Sequence, residues 1–454
     1  TDAAEVAEIL AGRSKRFEAL ELVEDEADAI LDALDLGRPT DQTRLMLAAD
    51  AAALTADLAR HRTRLAFLRA DAITPAVRAL DWADVSLFGV DRVRTSVGWT
   101  LAATLPQASS DTSFDPTATW TLVAGGDIML EGGVAQTLKV RGRGADFPFD
   151  GGRAEITGHI CCSAFGWEIP QTRRTGGQGQ MRRLIEGADL AIANFENPAP
   201  EAFRYHTSGT LFSADPELIE GLATAGFDWV GLANNHIRDA GGNGIIDTIK
   251  NLDRYGIASS GAGDNLGAAR TPAILDAAGT KVALLAYDTI RRSYTAGPET
   301  PGSARLTAKA VRADIRKARR AGADVIIVFP HWGVEYDKRP FDGQRRLAQA
   351  AVDAGADLVI GNHAHWAGAM EVYEGKPVWY ALGNFVFDQT WSEPTMEGLT
   401  LELTFHGADL VQARMRPHII LDKAQPNFLD PAADGRVVMN QVWTGSDALD
   451  LLPW

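Results

Sequence analysis

The stretch Leu358-Val359-Ile360-Gly361-Asn362-His363-Ala364-His365 decides the fold class of this 454-residue chain. Its first three residues are aliphatic and mostly β-branched, which is typical of a strand buried on both faces of a parallel sheet. Gly361 ends the run, and side chains that can bind a metal follow at once. The stretch therefore predicts an α/β sheet whose strands end in polar, ligand-type residues.

The same alternation of short apolar runs and amphipathic segments continues along most of the chain. Strands are also predicted at 122–124, 190–193, 229–232, 282–286, 325–329, 378–381 and 401–405. Helices are predicted between them at 181–185, 216–225, 245–255, 308–320 and 343–354. This pattern predicts an α/β domain over 120–454, and two packed sheets flanked by helices fit the number of strands.

The first quarter of the chain has a different character. It is rich in Ala, Leu, Glu, Asp and Arg, and apolar residues recur at helical spacing, as in Leu20, Val23, Ala27, Ile30 and Leu34. The segment 106–119 holds many Ser, Thr, Asp and Pro residues and few large apolar ones. We therefore expect a mostly helical N-terminal domain at 1–105 and a linker at 106–119.

The charge balance excludes some classes of partner. The chain has 44 Lys and Arg against 60 Asp and Glu, a formal net charge of −16, which argues against nucleic-acid binding. No apolar run reaches the roughly 18 residues that span a bilayer. The only two cysteines, Cys161 and Cys162, are neighbours, which rarely pair with each other, so we expect no disulfide framework and no thiolate zinc site.

Ligand-type side chains follow six of the predicted strands. They are Asp127, Glu196, Asn234, Asn235, His236, His331, His363, His365 and Asn384. Open α/β sheets bind ligands beyond the carboxyl ends of their strands, so we expect these side chains to meet. Imidazole combined with carboxylate and amide oxygens suits Zn, Mn, Fe, Co or Ni, and the two histidines of His363-Ala364-His365 could reach two neighbouring ions.

The motifs resemble, in the same order, those of a known family. They are Gly126-Asp127-Ile128-Met129, Asn194-Phe195-Glu196, Asn234-Asn235-His236, His331-Trp332-Gly333-Val334-Glu335-Tyr336, Gly361-Asn362-His363-Ala364-His365 and Leu382-Gly383-Asn384-Phe385. The series is similar to the CapA family of bacterial poly-γ-glutamate capsule synthesis proteins, also called PgsA-like, over about residues 120–425. The resemblance implies the β-sandwich flanked by helices of the calcineurin-like metallophosphoesterases.

The resemblance also implies roles for single residues. The metal ligands would be Asp127, Glu196, Asn235, His331, His363 and His365. His236 would act as general acid or base on the leaving group, and Glu335 is a second catalytic candidate. Candidates for substrate contact are Arg204, His206, Asn234, Trp332 and Asn384, and Trp366 and Phe385 are further candidates for the cleft wall.

Two departures from the superfamily pattern concern metal 1. Met129 stands where that pattern has a ligand histidine, and Glu196 is one methylene longer than the usual bridging Asp. Metal 1 is therefore expected to be weaker, differently coordinated or absent. The ligands of metal 2, which are Glu196, Asn235, His331 and His363, carry more of the prediction.

The resemblance leaves two functions open. The first is a metal-dependent hydrolase with one or two divalent ions (Mn, Zn or Fe), in which metal-activated water attacks poly-γ-glutamate or another cell-envelope polymer; epimerisation at the same site is a variant of it. The second is a non-catalytic accessory protein of capsule polymer synthesis or export. The expected partners are an anionic polymer or peptide-like substrate and other membrane proteins of capsule synthesis. The expected location is extracytoplasmic, either secreted or anchored through a removed N-terminal segment, which fits a chain that starts at Thr1.

Overall fold

A computed structural model describes residues 1–95, 98–99, 101–103, 105, 114–204, 209 and 211–449. The chain divides into two compact units. The first comprises Thr1–Thr121 and Leu403–Arg414, and the second comprises Leu122–Glu402 and Met415–Trp454. Within the described ranges, no helix is both long and apolar enough to cross a membrane.

The strands and helices are numbered in chain order. The strands are β1 (Ala19–Val23), β2 (Leu45–Ala48), β3 (Arg64–Ala66), β4 (Thr119–Ile128), β5 (Arg153–Ile160), β6 (Ile169–Gly176), β7 (Leu190–Phe195), β8 (Trp229–Gly231), β9 (Ala258–Ser260), β10 (Ala262–Gly263), β11 (Ala273–Ala277), β12 (Thr280–Asp288), β13 (Gly302–Ser303), β14 (Val325–His331), β15 (Leu358–Ile360), β16 (Met370–Tyr373), β17 (Lys376–Trp379), β18 (Asn384–Val386), β19 (Glu397–His406), β20 (Asp409–Leu421) and β21 (Gln425–Phe428). The α-helices are α1 (Ala3–Leu10), α2 (Ala27–Ala33), α3 (Ala51–Leu58), α4 (Gly132–Ala135), α5 (Gln180–Glu186), α6 (Ile219–Ala225), α7 (Gly241–Arg254), α8 (Leu266–Ala269), α9 (Ala308–Arg320), α10 (Asp342–Val352), α11 (Glu393–Met396) and α12 (Arg436–Asp447).

The first unit combines helices with a sheet, so the mostly helical N-terminal domain is not confirmed. It contains a three-stranded parallel sheet in the order β2-β1-β3, with α1, α2 and α3 beside it. The apparent helical run splits in two, because Leu20 and Val23 lie in β1 whereas Ala27 and Ile30 lie in α2. All four side chains are buried, so spacing alone could not separate the strand from the helix.

The second unit contains a mixed sheet of six strands in the order β11-β12-β14-β15-β17-β16. Its four central strands run parallel, and the two edge strands run antiparallel to their neighbours. Helix α9 covers one face with Val311, Ile315 and Ala318, which recur at helical spacing and pack in one cluster with Val328 of β14. Burying an aliphatic side chain of this kind contributes about 1.5–3 kcal/mol.

A larger sheet of ten strands packs on the other face of the six-stranded sheet. Its order is β6-β5-β21-β20-β19-β4-β7-β8-β9, and β18 pairs with β4. Trp229 of β8 packs edge-on against Phe329 of β14, with 5.3 Å between ring centroids. A Cβ at Gly231 would lie 3.3 Å from Ala286, which shows how closely the two sheets approach. The predicted α/β class, with two sheets flanked by helices, is therefore confirmed.

Strand register brings the predicted site residues to one end of both sheets. Asp127 of β4 pairs with Asn194 of β7 and with Asn384 of β18. In the other sheet, His331 pairs with Asp288 of β12 and forms a bridge to Asn362. Because the paired strands run parallel, their carboxyl ends meet at the same edge.

Gly126 allows β4 to reach the loop before β18. A Cβ at this position would lie 1.9 Å from the carbonyl oxygen of Gly383, which is closer than any side chain tolerates. The same carbonyl accepts a hydrogen bond from the Asp127 backbone N–H at 3.1 Å. Glycine at 126 therefore holds Asp127 and Asn384 side by side.

The hairpin of β5 and β6 was missed by the sequence analysis. Its strands are largely exposed on both faces, so no apolar alternation marks them. Cys161 and Cys162 lie at its tip, with their sulfurs placed against each other.

Candidate metal centre

Three donor groups converge on one ring nitrogen of a fourth, His331. Its Nε2 lies 2.7 Å from Oδ1 of Asn235, 3.0 Å from Nδ1 of His363 and 3.4 Å from Oε1 of Glu196. All four residues are buried. They are the residues that the resemblance assigns to metal 2, and the structure brings them together.

Asp127 and His365 lie beside this group. Oδ2 of Asp127 is 3.6 Å from Nδ1 of His365, and Nε2 of His365 is 3.9 Å from Oε1 of Glu196. Asn194 holds Asp127 by donating from Nδ2 to Oδ1 at 2.7 Å. Asn194 was quoted only as part of a motif, and its position one residue before Phe195 at the end of β7 was the available signal.

Two overlapping sets of side chains offer metal-binding geometry. One set is Asp127, Glu196 and His331, and the other is Glu196, His363 and His365; the donor atoms of each set lie within 4.8 Å of one another. Glu196 belongs to both sets. The arrangement therefore suits one ion, or two ions that share the Glu196 carboxylate.

The loop after β15 aims its two histidines through an unusual backbone. His363 has φ of 91° and His365 has φ of 57°, in the region that side chains other than glycine rarely adopt. The Asp127 carboxylate accepts a hydrogen bond from the His363 backbone N–H at 3.2 Å, which helps to hold this conformation. Such strain at two positions of one loop is typical of functional sites.

Glu196 carries the clearest sign that the cluster is built for a cation. It is fully buried, and neither of its carboxylate oxygens accepts a hydrogen bond from any residue in the described part of the chain. Burial raises the pKa of Glu196 to about 8. Burial, and next the charge of Glu196, raise the pKa of Asp127 well above its ordinary value.

The histidines of the cluster are held neutral. Burial lowers the pKa of His365 to about 3, and it lowers the pKa values of His331 and His363 well below the ordinary value. Neutral imidazoles, together with the Glu196 carboxylate that has no hydrogen-bond donor among the described residues, present lone pairs and lack only positive charge. This donor set fits a divalent metal ion.

His236 has a partner that the sequence analysis missed. Its Nδ1 lies 2.8 Å from Oδ2 of Asp239, and Tyr294 donates from its hydroxyl to Oδ1 of the same carboxylate at 2.8 Å. With Nδ1–H directed at Asp239, the lone pair of Nε2 is free for proton transfer. Asp239 follows His236 by three residues, and this spacing was the only available signal.

His236 also lies close enough to the cluster to act on it electrostatically. Its charge lowers the pKa of Glu196, although burial of Glu196 acts more strongly in the opposite direction. Phe212 packs edge-on against the His236 ring, with 4.7 Å between centroids. The ring is therefore fixed on both sides.

Met129 lies in an apolar cluster with Phe387 and Ile420 and is buried there. Its backbone N–H donates to Val386, which places it beside β18. Phe387 in turn packs edge-on against His365, with 5.0 Å between centroids. Position 129 therefore contributes packing next to His365 and no metal ligand.

Several residues predicted to contact substrate have other roles. Trp332 is only 1% exposed and donates from Nε1 to the carbonyl of Tyr380, and Phe385 is fully buried, so both belong to the core. Asn234 donates to the carbonyl of Phe195 and accepts from the backbone N–H of His236.

Asn384 likewise has its polar groups engaged inside the protein. Its Oδ1 lies 2.8 Å from Nδ1 of His365, and its Nδ2 donates to the carbonyl of Thr395. Asn234 and Asn384 thus position His236 and His365 rather than substrate, which corrects their assignment.

The remaining predicted residues lie at the periphery. Glu335 is exposed, and its charge contributes to raising the pKa of Glu196, after the larger effects of burial and His236. Arg204 is exposed in the loop after β7, and His206 lies outside the described residues. Neither Glu335 nor Arg204 contacts the cluster directly.

Three arginines border the site near His236. Arg291 lies over the ring of Tyr294 at 5.2 Å, and Arg238 donates to the carbonyl of Ser293. Arg305 donates to the carbonyl of Thr289, the residue whose backbone N–H bonds to His331. Within the described ranges, none of the three arginines has a carboxylate within 4.0 Å. They give this side of the site positive charge in an otherwise acidic chain.

Comparison with protein families gives a match over most of the second unit. Residues 121–389 match the family model described as "Bacterial capsule synthesis protein PGA_cap". The matched range includes the whole cluster described above.

Two curated relatives have related names. The capsule biosynthesis protein CapA of Bacillus anthracis is 35% identical over 216 residues, which are 46% of this chain and 53% of that protein. The PGA biosynthesis protein CapA of Bacillus subtilis (strain 168) is 34% identical over 213 residues, 46% of this chain and 56% of that protein. The chain thus spans just over half the length of these relatives.

Solved structures with a similar arrangement include two nucleotidases. Haemophilus influenzae NAD nucleotidase is 12% identical with a TM-score of 0.39, covering 72% of this chain and 62% of that chain. The 5'-nucleotidase precursor from Thermus thermophilus is 14% identical with a TM-score of 0.35, covering 72% of this chain and 58% of that chain. These scores are low, so the fold assignment rests on the sheet topology above.

Proposed function

We propose, on the premise that the chain belongs to the bacterial capsule synthesis protein family PGA_cap, that it is a metal-dependent hydrolase of an anionic cell-envelope polymer. Poly-γ-glutamate is the first candidate substrate, because the relative from Bacillus subtilis is named for PGA biosynthesis. Envelope polymers of this kind lie outside the cytoplasm, and we place the activity there. The match of residues 121–389 to this family also confirms the resemblance drawn from the motifs.

One observation carries the proposal. The buried carboxylate of Glu196 has no hydrogen-bond donor among the described residues and faces His331 and His365. A divalent ion bound there supplies a Lewis acid that polarises a carbonyl or phosphoryl oxygen and lowers the pKa of water. Mn, Zn and Fe are the candidates for this ligand set.

The protein's own residues supply the other parts of the reaction. His236 would take a proton at Nε2 from the attacking water and pass it to the leaving group, since Asp239 holds the Nδ1–H side of its ring. Arg238 and Arg291 would hold anionic groups of the polymer, because their charges have no carboxylate partner in the described chain. Glu335, which is exposed at the periphery of the site, is the second candidate for proton transfer.

The test is chain shortening of poly-γ-glutamate by the purified full chain loaded with Mn²⁺, Zn²⁺ or Fe²⁺. His236→Ala should lower the rate by about 10²–10⁴-fold without changing metal content, because proton transfer by a positioned side chain contributes that much. The rate of the Asp239→Asn variant should fall between those of the wild type and His236→Ala. Its pH profile should shift because Nδ1 of His236 loses its carboxylate partner. His61→Ala, in the first unit, is the matched control.

A second candidate function is a binding-only accessory role in capsule assembly. It is favoured by Met129, which contributes packing where the superfamily pattern has a ligand. In that case metal would bind, no polymer would be shortened, and His236→Ala would leave every capsule phenotype intact. That set of results would reject the hydrolase proposal.

A further inference from the structure

The tip of the β5–β6 hairpin exposes two aromatic side chains. Phe165 is 71% exposed and Trp167 is 42% exposed, in a stretch that lies between two largely polar strands. Next to the tip, His159 Nε2 lies 3.0 Å from Oε2 of Glu393, which ties the hairpin to α11. Large apolar rings held at a surface in this way are typical of binding sites.

The two rings begin a continuous aromatic path to the metal centre. Phe165 packs on Trp391 at 5.5 Å and Trp167 packs on Trp366 at 6.0 Å between centroids. Trp391 and Trp366 both contact Tyr336, with 4.8 Å and 6.4 Å between ring centroids. Tyr336 stacks on His365 with 6.0 Å between centroids. We call Phe165, Trp167, Tyr336, Trp366 and Trp391 the aromatic path.

Polar groups along the path are set to meet a neutral, hydroxyl-bearing ligand. The indole N–H of Trp366 is buried and has no acceptor among the described residues. The Tyr336 hydroxyl has one distant contact, with Nε2 of Gln389 at 3.5 Å. Tryptophan and tyrosine combine an apolar ring face with a polar edge, and both edges here have bonding capacity left.

Charge argues against an anionic ligand on this side of the site. The cations nearest to Tyr336 in sequence are engaged, since Lys338 donates to Thr444 and Arg339 lies 3.7 Å from Asp337. Glu335 is exposed next to Tyr336 and adds negative charge. The unpaired arginines lie instead beside His236 and Tyr294. The two sides of the site therefore differ in the chemistry they can bind.

We propose that the aromatic path is a carbohydrate-binding subsite that holds a pyranose ring against Phe165, Trp167 and Trp391 at its outer end. The C–H face of a pyranose packs on aromatic rings, and its hydroxyl edge bonds to groups such as the Tyr336 hydroxyl. The subsite rests on the proposed function only for the claim that this sugar belongs to the polymer being cleaved. A polymer that places anionic groups toward Arg238 and Arg291 and a sugar toward Trp391 is a sugar-bearing envelope polymer, so the subsite favours that class over poly-γ-glutamate, which contains no sugar.

The experiment titrates the full chain with soluble oligomers of N-acetylglucosamine by calorimetry. Trp167→Ala and Trp391→Ala should each weaken binding by roughly tenfold, the effect of losing a ring contact of about 1.4 kcal/mol. Trp443→Ala is the matched control, because Trp443 is also 42% exposed but lies on α12. Trp391→Phe keeps a ring and should recover most of the affinity.

Three results would overturn the subsite. They are the absence of saturable binding by the wild-type chain, equal losses in Trp167→Ala and Trp443→Ala, and displacement of the sugar by a γ-linked glutamate hexamer that itself depends on Trp391. Binding to phosphatidylglycerol vesicles that depends on Trp167, in place of sugar binding, would also overturn it. Binding and hydrolysis are measured separately, which distinguishes the two claims. Sugar binding without any hydrolysis by the wild-type chain rejects the hydrolase and keeps the subsite. The titration repeated with His236→Ala should show that sugar binding is retained.

Discussion

At the scale of single residues, Glu196 is the centre of the account. Its carboxylate belongs to both sets of donor atoms, and its oxygens have no hydrogen-bond donor among the described residues. A buried polar group without a partner costs about 1–3 kcal/mol, more if charged, and such a cost is retained where function requires it. A bound cation would remove this cost.

In the Glu196→Gln variant, thermal stability should therefore depend much less on added metal than it does in the wild type. The amide has nearly the same shape, so the metal-free variant should unfold at about the wild-type temperature. Metal at 100 times its Kd should stabilise the wild type by about 2.7 kcal/mol and the variant by much less. Thermal unfolding with and without Mn²⁺ measures both, and an equal shift in the two proteins would show that the ion binds elsewhere.

The residues of the buried cluster could be predicted from the sequence, because each follows an apolar run at a strand end. The residues that orient them could not. Asp239 and Asn194 act through hydrogen bonds to His236 and Asp127, and nothing in their sequence positions shows which side chain they will face. Trp332 was misassigned because a motif position does not show whether a ring points into the core or the cleft.

At the scale of elements, the first residue of β19 links stability to pH. Glu397 is fully buried, and its carboxylate has no hydrogen-bond partner in the described part of the chain. Burial, and then the charge of Glu393, raise its pKa well above the ordinary 4.5. Between that value and the raised one, the unfolded chain ionises this carboxyl and the folded chain does not.

The contribution of Glu397 to stability is therefore complete below pH 4.5 and is lost as the pH rises toward its raised pKa. Relative to Glu397→Gln, the wild type should lose about 1.4 kcal/mol per pH unit across that window. Urea unfolding of both proteins between pH 4 and 8 measures the difference. A difference that stays constant with pH would mean that Glu397 ionises normally in the folded chain.

Elements in which buried and exposed residues alternate clearly were predicted well. Elements without this alternation were not. Helix α9 was predicted at its observed bounds, because Val311 and Ile315 alternate with exposed charged residues. The β5–β6 hairpin and the β1 strand failed for opposite reasons. The hairpin is exposed on both faces, whereas β1 is buried throughout and only the short turn Glu24–Glu26 separates it from the buried residues of α2.

At the scale of the whole molecule, the proposed domain boundary at 106–119 has a consequence for truncation. Leu403–Arg414 belongs to the first unit, although it lies late in the sequence. Within that unit, Val411 packs with Leu87 and Phe88. A fragment that keeps only 120–454 would lose two of these three residues and expose the third.

The fragment 120–454 should therefore be less stable than the full chain, by about 1.5–3 kcal/mol for exposing Val411 alone, and more prone to aggregate. Size-exclusion chromatography and binding of a hydrophobic dye measure this. The fragment 68–454 keeps Leu87 and Phe88 together with Val411 and is the control. Equal solubility and equal thermal stability of the two fragments would show that 120–454 folds independently.

The central claim is that the buried cluster holds a divalent metal, and anomalous X-ray scattering tests it most directly. Crystals of the full chain grown with Mn²⁺ should give an anomalous peak roughly 2.0–2.3 Å from Glu196 and from the donor nitrogens of His331 and His363. A second peak on the Asp127 side of Glu196 would mean two ions that share its carboxylate. The absence of any peak at the cluster after loading with Mn²⁺, Zn²⁺ and Fe²⁺ in turn would contradict the account.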